Sequence, residues 1–523
     1  MEKVITIIGG GATALAFLDR FITESKDDIK NLATIYVLEK QEIFGPGVAY
    51  NEDSASNILN TKAGYISAFP SKPGDFFNWL HSNPDLWEDK FPNYIATEDS
   101  YAPRPLFGMY LQASFAQVVK QATQRNIKIV QLNAEAVDVS IVGNSYVTKT
   151  SCNLSITSDI VLMACGTIPN AKIESPATLG SVISNPYPVC KLTKYVKSEQ
   201  PLAIIGARLS AIDAIIALVE GGHKGDIHVY SRSGFFPSIR GTQGRFASKY
   251  LTHAYLDEYL AKKPVISLND IVTLVANDLE HYFECNPSHM REKIAIPPQA
   301  PNSIEEYLEN EMKMANHPRG WQAVLYSTNA IIERLWMALK DEDKDTFLNE
   351  YFATFMSYRV SIPRENGQRI LNYIKSGQVK FFSGDSRVSK EYGSMPVVTQ
   401  TEGGLEINRE YGYVIYATGS PKDPMKSDSK LIRNMMSKGS ITPQPYGGIE
   451  IDTTTYQIID TKGNVHEDLF ASGELTVGNF FFTSAMDIIT RHANKCAKEI
   501  FDKHFSLEAQ LREQTPALNK AKA

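Results

Sequence analysis

The sequence predicts an α/β protein built from two parallel-sheet domains, the second inserted in the first. Apolar residues 4–8 run into Gly9, and a helical pattern and a second apolar strand at 33–38 follow. The same order of strand, glycine turn, helix and strand recurs from Leu202 to Tyr230. Strands that alternate with helical patterns are typical of βαβ units and therefore of parallel sheets. Two Rossmann-like units are the expected result.

The predicted domain boundaries follow from the order of these units along a chain of 523 residues. We expect the first domain to comprise residues 1–195 and 378–505. The second domain is expected at 196–377, where 245–377 forms a mostly helical insertion because its apolar residues recur at helical spacing. Residues 506–523 are expected to be a polar tail.

Composition argues against several classes of protein. A net charge of -6 does not suit a general nucleic-acid binder, which usually needs a basic surface. Apolar runs are shorter than the roughly 20 residues that span a bilayer, and the N-terminus lacks a cleavable signal pattern. The five cysteines are scattered without a Cys-x-x-Cys pair, so neither a dithiol centre nor a disulfide framework is expected. We therefore expect a cytoplasmic protein with no membrane, nucleic-acid or metal partner.

The first glycine motif, Gly9-x-Gly11-x-x-Ala14, lies directly after the first strand and opens a helix. Its first glycine permits a tight turn, its second lets the backbone approach a pyrophosphate, and its third small residue lets the helix pack closely on the strand. The helix N-terminus offers N–H groups and a partial positive charge to the phosphates. Glu39 ends the second strand, where a carboxylate accepts hydrogen bonds from ribose hydroxyls and repels a 2′-phosphate. This motif therefore predicts FAD or NAD.

The second motif differs from the first at two positions. Gly206 follows the strand, but Arg208 stands where a second glycine is usual, and Ser210 opens the helix. Ser231 and Arg232 end the next strand, where an arginine can pair with the 2′-phosphate of NADP. The Arg208 side chain either blocks the dinucleotide or grips its pyrophosphate. A degenerate unit that binds nothing is the remaining alternative.

Three further turns place small residues at strand ends. Ala164-Cys165-Gly166 and Ala417-Thr418-Gly419 both follow apolar strands and flank the second unit. Near the end of the chain, Gly473 and Glu474 follow the strand at 468–472 and precede a helix predicted to begin near Thr483. Such turns let the chain pass close to a nucleotide or cross between domains, and a helix N-terminus there can hold phosphates.

A family resemblance rests on motifs that span nearly the whole chain. The chain resembles flavoproteins with two dinucleotide-binding domains. It is most similar to class B-like monooxygenases that hydroxylate amino-acid nitrogen, including aspartate N-hydroxylases that form nitrosuccinate. The matching elements are 9–14, 44–50, Leu59-Asn60, Phe76 with Trp79-Leu80, Pro103-Arg104 with Tyr110-Leu111, 231–234 with Pro237, Trp321-Gln322 and 471–475.

The resemblance implies that the early motifs line FAD and that the Ser-Arg motif faces NADPH. Together with the glycine motifs it gives the expected set of cofactor-binding residues. They are Gly9, Gly11, Ala12, Thr13, Ala14, Glu39, Lys40, Gly47, Asn60, Arg104, Gly166, Gly206, Arg208, Ser210, Ser231, Arg232, Gly419, Gly473 and Glu474.

The activity that the resemblance implies is an NADPH-using, FAD-dependent monooxygenase. It would hydroxylate a small primary amine or amino acid with molecular oxygen through a flavin hydroperoxide. The Phe-x-Gly-x-x-x-His-x-x-x-Trp signature of Baeyer–Villiger monooxygenases is missing from the sequence. An FAD-dependent NAD(P)H oxidase or dehydrogenase without oxygen insertion, and a flavin-loaded binding protein without turnover, remain alternatives. The sequence singles out no catalytic residue.

Four other residues have a functional and a structural interpretation. His492 lies on the last predicted helix, from which it could approach a flavin. A packing or surface histidine is the favoured interpretation. Arg319, Arg359 and Arg364 suit a substrate carboxylate, but structural ion pairs or a solvated face are favoured for each of them.

Overall fold

The computed structural model divides into two compact units. It describes residues 2–25, 33–168, 181–292, 301–389, 394–402, 405–420 and 422–506. Unit 1 comprises 1–52, 61–171 and 420–523, and unit 2 comprises 53–60 and 172–419. Most of the predicted polar tail, 506–523, lies outside the described residues.

The strands are short and rich in β-branched residues, which pack well on a pleated surface. In chain order they are β1 Lys3–Ile8, β2 Ala33–Glu39, β3 Lys128–Asn133, β4 Ala136–Val142, β5 Ser145–Thr150, β6 Ser155–Ser158, β7 Ile160–Met163, β8 Val182–Ile183, β9 Leu202–Ile205, β10 Ile227–Ser231, β11 Val379–Ser383, β12 Ser386–Ser389, β13 Val397–Glu402, β14 Leu405–Glu410, β15 Tyr413–Tyr416, β16 Gln457–Ile459 and β17 Val465–Ala471.

Eight of the seventeen α-helices in the described residues lie between β10 and β11, where the helical insertion was predicted. In chain order they are α1 Ala12–Glu24, α2 Asp75–Ser82, α3 Pro84–Trp87, α4 Arg104–Gln124, α5 Leu192–Tyr195, α6 Leu209–Glu220, α7 His253–Lys262, α8 Leu268–Cys285, α9 Ile304–Met314, α10 Gly320–Ser327, α11 Ile332–Ala338, α12 Asp341–Thr346, α13 Phe352–Arg359, α14 Arg364–Lys375, α15 Lys430–Ser437, α16 Val477–Phe480 and α17 Met486–His504.

Unit 1 is organised around a six-stranded sheet in the order β16-β17-β7-β1-β2-β3. All neighbouring strands are parallel except β16 and β17. Helix α1 buries its apolar face, and its Phe21 ring meets Phe501 and Phe505 edge-on at 5.7 and 5.2 Å between ring centres. Strands β4, β5 and β6 form a separate antiparallel sheet. The central position of β1 places the first glycine motif in the middle of the carboxyl edge of the large sheet.

Unit 2 contains a five-stranded parallel sheet in the order β11-β10-β9-β15-β8. Helix α6 packs its apolar residues into the core of this sheet, and Ile212, Ile215 and Leu218 are buried. An antiparallel sheet of β12, β13 and β14 covers Tyr230 and Val414 in a smaller core. The second glycine motif again lies at the carboxyl end of the central strand.

Strand pairing corrects the predicted domain boundaries. Strand β11 pairs with β10 and β15 pairs with β9, so residues 378–419 belong to unit 2 and not to the first domain. Residues 172–195 also belong to unit 2, where β8 pairs with β15. Within these segments the sequence pattern predicts strands at 379–382 and 413–416, but a strand pattern does not specify which sheet the strand joins.

The described ranges contain neither a membrane-spanning helix nor a metal-binding cluster. No helix there has the length and apolarity needed to cross a membrane. No group of three or more histidine, cysteine or acidic side chains there is arranged to hold a metal ion.

Candidate nucleotide-binding sites

The turn after β1 has the backbone geometry that its glycine motif predicts. Gly9 has a φ of 109°, and its N–H donates to the Leu38 carbonyl at 2.8 Å. A Cβ at Gly9 would overlap the carbonyl oxygen of Ala164 at the end of β7. Glycine is needed here both for the positive φ and for the close approach of two strand ends.

The N-terminus of α1 faces a surface made of backbone rather than side chains. A Cβ at Gly11 would lie 3.4 Å from the Cα atom of Gly47, which itself has a φ of 60°. The N–H of Gly45 donates to the Gly10 carbonyl at 2.7 Å and fixes the loop 44–50 beside the turn. Gly11 gives α1 no side-chain cap, so the N–H groups of the first turn can serve a phosphate.

Glu39 is held beside the same turn at the end of β2. Its carboxylate accepts hydrogen bonds from the Gly10 N–H at 2.8 Å and the Gln41 N–H at 3.0 Å. The side chain is buried, whereas that of Lys40 is exposed. A buried, oriented carboxylate at this strand end suits a ribose diol and disfavours a 2′-phosphate.

The turn after β17 contacts the same helix terminus. Gly473 has a φ of 84°, and a Cβ there would lie 2.9 Å from the Thr13 hydroxyl oxygen. The Glu474 carboxylate accepts a hydrogen bond from the Thr483 hydroxyl at 3.2 Å, and burial raises the pKa of that carboxyl. The long C-terminal helix begins at Met486, so the expectation that it begins near Thr483 is corrected. The short helix α16 comes between the turn and α17.

Unit 2 repeats the turn geometry of unit 1. Gly206 has a φ of 112°, its N–H donates to the Tyr230 carbonyl at 2.8 Å, and a Cβ there would lie 2.5 Å from the Ala417 carbonyl oxygen. The Ala164 and Ala417 N–H groups each donate at 2.8 Å to the last residue of the neighbouring central strand. The two small-residue turns predicted at 164–166 and 417–419 are therefore equivalent partners of the two glycine motifs.

At positions 166 and 419 glycine is favoured by backbone conformation and not by a close contact. Their φ angles are 67° and 80°, but a Cβ at either position would meet nothing within 4 Å. Backbone conformation alone favours glycine at these sites. The open space beside each of them fits the expected approach of a nucleotide.

Arg208 occupies the same helix-cap position as Gly11. The φ and ψ angles are -93° and -161° at Arg208, and -87° and -162° at Gly11. The Arg208 guanidinium lies 5.8 Å from the centre of the Phe352 ring. Burial, and secondarily the positive charge of Arg232, lower the pKa of Arg208. Two cationic side chains therefore lie close together at the N-terminus of α6.

The immediate surroundings of this pair are polar. The Ser231 and Ser233 hydroxyl oxygens lie 3.2 Å apart, and Ser210 is in the first turn of α6. Arg232 is exposed, whereas Arg208 is only partly so. In the described part of the chain, neither guanidinium lies within 4.0 Å of a carboxylate. This arrangement suits an anionic ligand.

The first glycine turn lies in a segment that matches a known protein family. Residues 6–168 match the FAD-NAD(P)-binding family model. This match contains the turn, the helix α1 and the carboxylate of the first site. No curated protein matches the chain.

Several solved structures share the fold over nearly its full length. The ornithine N-hydroxylase of Kutzneria sp. 744 is 12% identical, with a TM-score of 0.57 over 96% of this chain and 100% of its own. The ornithine hydroxylase of Pseudomonas aeruginosa in its reduced form is 13% identical, with a TM-score of 0.55 over 96% and 99%. The FAD-bound cadaverine monooxygenase of Erwinia amylovora is 12% identical, with a TM-score of 0.56 over 96% and 95%. These similarities confirm the predicted α/β fold.

Of the remaining predicted residues, Arg104 and Asn60 lie in different units. Arg104 begins α4 in unit 1, and its positive charge opposes the rise that burial causes in the pKa of the Tyr50 phenol. Asn60 ends the short segment 53–60, which belongs to unit 2.

The close approach of helix α4 to the loop 44–50 was not predicted from the sequence. A Cβ at Gly108 on α4 would overlap the Tyr50 carbonyl oxygen, and a Cβ at Gly45 would lie 2.5 Å from the Leu111 carbonyl oxygen. The available signal was Gly108 within a predicted helix. Glycine there costs about 1 kcal/mol relative to alanine, which suggests a packing requirement.

The structural interpretation holds for His492. Its ring is 2% exposed, and Nδ1 lies 2.9 Å from the Tyr456 hydroxyl. Burial lowers the pKa of His492 to about 3, so the ring is neutral at physiological pH. It packs against Phe480, with ring centres 4.3 Å apart.

Arg319 forms structural ion pairs with Glu292 and Glu311. It donates to Glu311 at 2.6 Å and to Glu292 at 2.9 Å, and also to the Ile239 carbonyl at 2.9 Å. These three partners occupy its guanidinium within the protein. Arg359 is buried and donates to Asn329, whereas Arg364 begins α14.

Proposed function

We propose that the protein is an FAD-dependent monooxygenase that takes electrons from NADPH and hydroxylates the nitrogen of a small primary amine or amino acid. The observation that carries this proposal is the opposite charge at two equivalent turns. Glu39 lies beside the first turn, and Arg208 and Arg232 lie beside the second. FAD lacks a 2′-phosphate and NADPH has one, so this difference supports a placement of FAD in unit 1 and NADPH in unit 2.

The residues of unit 1 fit FAD. The approach of Gly11 to Gly47 leaves a cradle that a side chain would fill. The first turn of α1 would face the pyrophosphate, and Glu39 would accept the ribose hydroxyls. Thr13 and Gly473 bring the last strand end to the same helix terminus. Bound FAD would supply hydride acceptance and oxygen activation, which no side chain provides.

The residues of unit 2 fit a phosphorylated dinucleotide. Guanidinium groups form strong charge-assisted hydrogen bonds with phosphates. A phosphate would also relieve the mutual repulsion of Arg208 and Arg232. We therefore favour the interpretation in which Arg208 grips the pyrophosphate over the one in which it blocks the site.

The cysteines argue against a dithiol reductase. All five are free. Burial raises the pKa of Cys165, in the turn at the end of β7, to about 12, so its thiol is protonated at neutral pH. Free thiols also fit the reducing compartment that the sequence predicts. Oxygen transfer is therefore favoured over thiol exchange.

The amine substrate is supported by similarity of fold over nearly the full chain. The three structures compared above are named for ornithine and cadaverine hydroxylation. An amine must be neutral to attack an electrophilic oxygen, so the substrate site needs burial or nearby positive charge to lower the amine pKa. Such a site works without a dedicated acid–base side chain. Amino acids, including aspartate, and diamines are the first substrates to test.

The decisive experiment is isotopic labelling with the purified FAD-loaded enzyme. The enzyme, NADPH and each candidate amine are incubated under labelled oxygen, and the products are analysed by mass spectrometry. We expect one labelled oxygen atom in a hydroxylamine, oxime or nitro product, with little peroxide released. If all electrons from NADPH appear as hydrogen peroxide with every amine, the enzyme is an oxidase and the monooxygenase proposal is wrong.

A further inference from the structure

We infer that Phe352, in the helical insertion of unit 2, is a positioning residue that holds the Arg208 guanidinium where the NADPH pyrophosphate binds. This inference rests on the proposed NADPH site and adds a residue from outside the βαβ unit to it. The first observation is the contact itself, with the guanidinium carbon 5.8 Å from the ring centre. A cation over an aromatic face is attracted by the electrons of the ring.

The direction of the Arg208 side chain explains why a support is needed. Arg208 and Gly11 share one backbone conformation at the start of α6 and α1. In unit 1 the direction of the missing Cβ leads to Gly47, 3.4 Å away, so the loop 44–50 closes that side of the site. In unit 2 a long flexible side chain leaves the backbone at the equivalent point and reaches Phe352. Without a fixed position it would sweep across the space that the pyrophosphate needs.

Electrostatics also favours a support. Arg208 is largely buried, and the charge of Arg232 lies close enough to lower its pKa further. Repulsion between the two cations would push the Arg208 guanidinium away from the helix terminus. The ring of Phe352 opposes this displacement without neutralising the charge, whereas a carboxylate partner would compete with the phosphates. Phe352 therefore keeps a full positive charge available in one place.

The local backbone fixes the ring itself. A π-helical turn at Phe347–Tyr351 lies between α12 and α13, and Phe352 follows it directly. Phe347 packs against Phe352 and Phe355, with ring centres 6.3 and 5.3 Å apart. A π-helical turn inserts a residue into the helix and is frequent at functional sites. Here it sets the register that presents Phe352, rather than its neighbours, to Arg208.

The test is dinucleotide binding by the FAD-loaded enzyme, which needs no turnover. NADP⁺ and NAD⁺ are titrated calorimetrically into wild type, Phe352→Leu and the matched control Phe355→Leu. Because the pyrophosphate is common to both ligands, we expect Phe352→Leu to weaken both by about three- to tenfold. The ratio of the two dissociation constants should stay unchanged. Phe355→Leu should bind like wild type, and Phe352→Tyr, which keeps the ring, should restore binding.

Two further variants separate this role from recognition of the 2′-phosphate. Arg232→Ala should change the NADP⁺ to NAD⁺ ratio by about tenfold or more. Combining Phe352→Leu with Arg208→Gln should weaken binding no more than Arg208→Gln alone, since the ring acts only through the guanidinium. This non-additivity remains informative even if Phe352→Leu is less stable.

Contrary outcomes are clear. The role of Phe352 would be wrong, and the NADPH site intact, in three cases. Phe352→Leu could bind both dinucleotides as tightly as wild type or more tightly, it could change the ratio of the two dissociation constants, or Phe355→Leu could lose as much affinity. If wild type binds neither dinucleotide, both the site and the inference are wrong.

Discussion

At the scale of single residues, the two nucleotide sites differ by a few side chains on one backbone plan. Gly9 and Gly206 have nearly the same φ and approach equivalent alanine carbonyls. What distinguishes the sites is Glu39 against Ser231 at the strand end, with Arg232 following Ser231, and Gly11 against Arg208 at the helix start. Under the proposed function, charge and volume at these positions decide which nucleotide each turn accepts.

The first residue-scale prediction concerns FAD. Gly11→Arg should abolish FAD retention, because even a Cβ at Gly11 would lie 3.4 Å from the Gly47 Cα atom and the longer side chain would fill the space between the two residues. The measurement is the ratio of flavin to protein absorbance after purification, with FAD identified after denaturation. Gly244→Arg is the matched control, since a Cβ there meets nothing within 4 Å. Full FAD occupancy in Gly11→Arg would show that the first site is misplaced.

The second residue-scale prediction concerns acid stability. The pKa of His492 is about 3 in the folded protein, against an ordinary value of 6.5. The buried neutral ring therefore contributes its full stability above about pH 6.5 and loses it as the pH falls toward 3. At pH 5.5 the loss is about 1.4 kcal/mol.

The measurement for His492 is the thermal midpoint at pH 7.5 and at pH 5.5. His492→Gln should lose less stability than wild type on this acidification, because glutamine does not titrate. His81→Gln changes an exposed histidine on α2 and should keep the wild-type pH dependence. Equal acid sensitivity in wild type and His492→Gln would contradict the assignment.

At the scale of secondary-structure elements, one buried arginine ties the helical insertion to the segment that follows β10. Arg319 precedes α10, Glu311 lies on α9, and Ile239 lies in that segment. Glu311 also accepts the Ile239 N–H at 2.8 Å. The insertion is thereby fixed to its own βαβ unit by charge-assisted hydrogen bonds.

Removing this arginine should destabilise unit 2 strongly. We expect Arg319→Ala to lower the unfolding free energy by about 3–5 kcal/mol, since two carboxylates would lose a buried partner. Chemical denaturation followed by circular dichroism measures this change. Arg291→Ala removes an exposed pair with Glu280 and should cost at most about 1 kcal/mol. A stable Arg319→Ala enzyme with a raised KM would instead point to substrate binding.

At the scale of the whole molecule, the chain passes between its two units four times. The breaks fall at residues 52/53, 60/61, 171/172 and 419/420. The segment 53–60 is tied to unit 2 because Asp53 accepts hydrogen bonds from the Val189 and Cys190 N–H groups at 3.0 and 2.8 Å. Neither unit is therefore a single continuous stretch of sequence.

This organisation predicts how fragments behave. A fragment of residues 196–377 contains only β9 and β10 of the five-stranded sheet and should not unfold cooperatively. A fragment of residues 172–419 contains all five strands and should show a cooperative transition by circular dichroism. A sharp transition in the shorter fragment would mean that the helical insertion forms an independent core.

The local features of both sites could be predicted from the sequence alone. Strands β1 and β9, the glycine turns and the helices α1 and α6 follow from patterns that involve residues a few positions apart. The charges of Glu39 and Arg232 are equally visible in the sequence, as is their place at strand ends. Physical constraints of this kind act within one βαβ unit, so about 40 residues of sequence suffice to reveal them.

The contacts between segments far apart in the sequence could not be predicted and are seen only in the folded protein. Strands β11 and β15 have the same apolar pattern as those of unit 1, yet they pair with β10 and β9. The support of Arg208 by Phe352 and the pairing of Arg319 with two glutamates likewise join distant parts of the chain. An apolar strand or a lone arginine encodes a need for a partner but not its identity. That identity is set by the packing of the whole unit, where burial and charge are satisfied together.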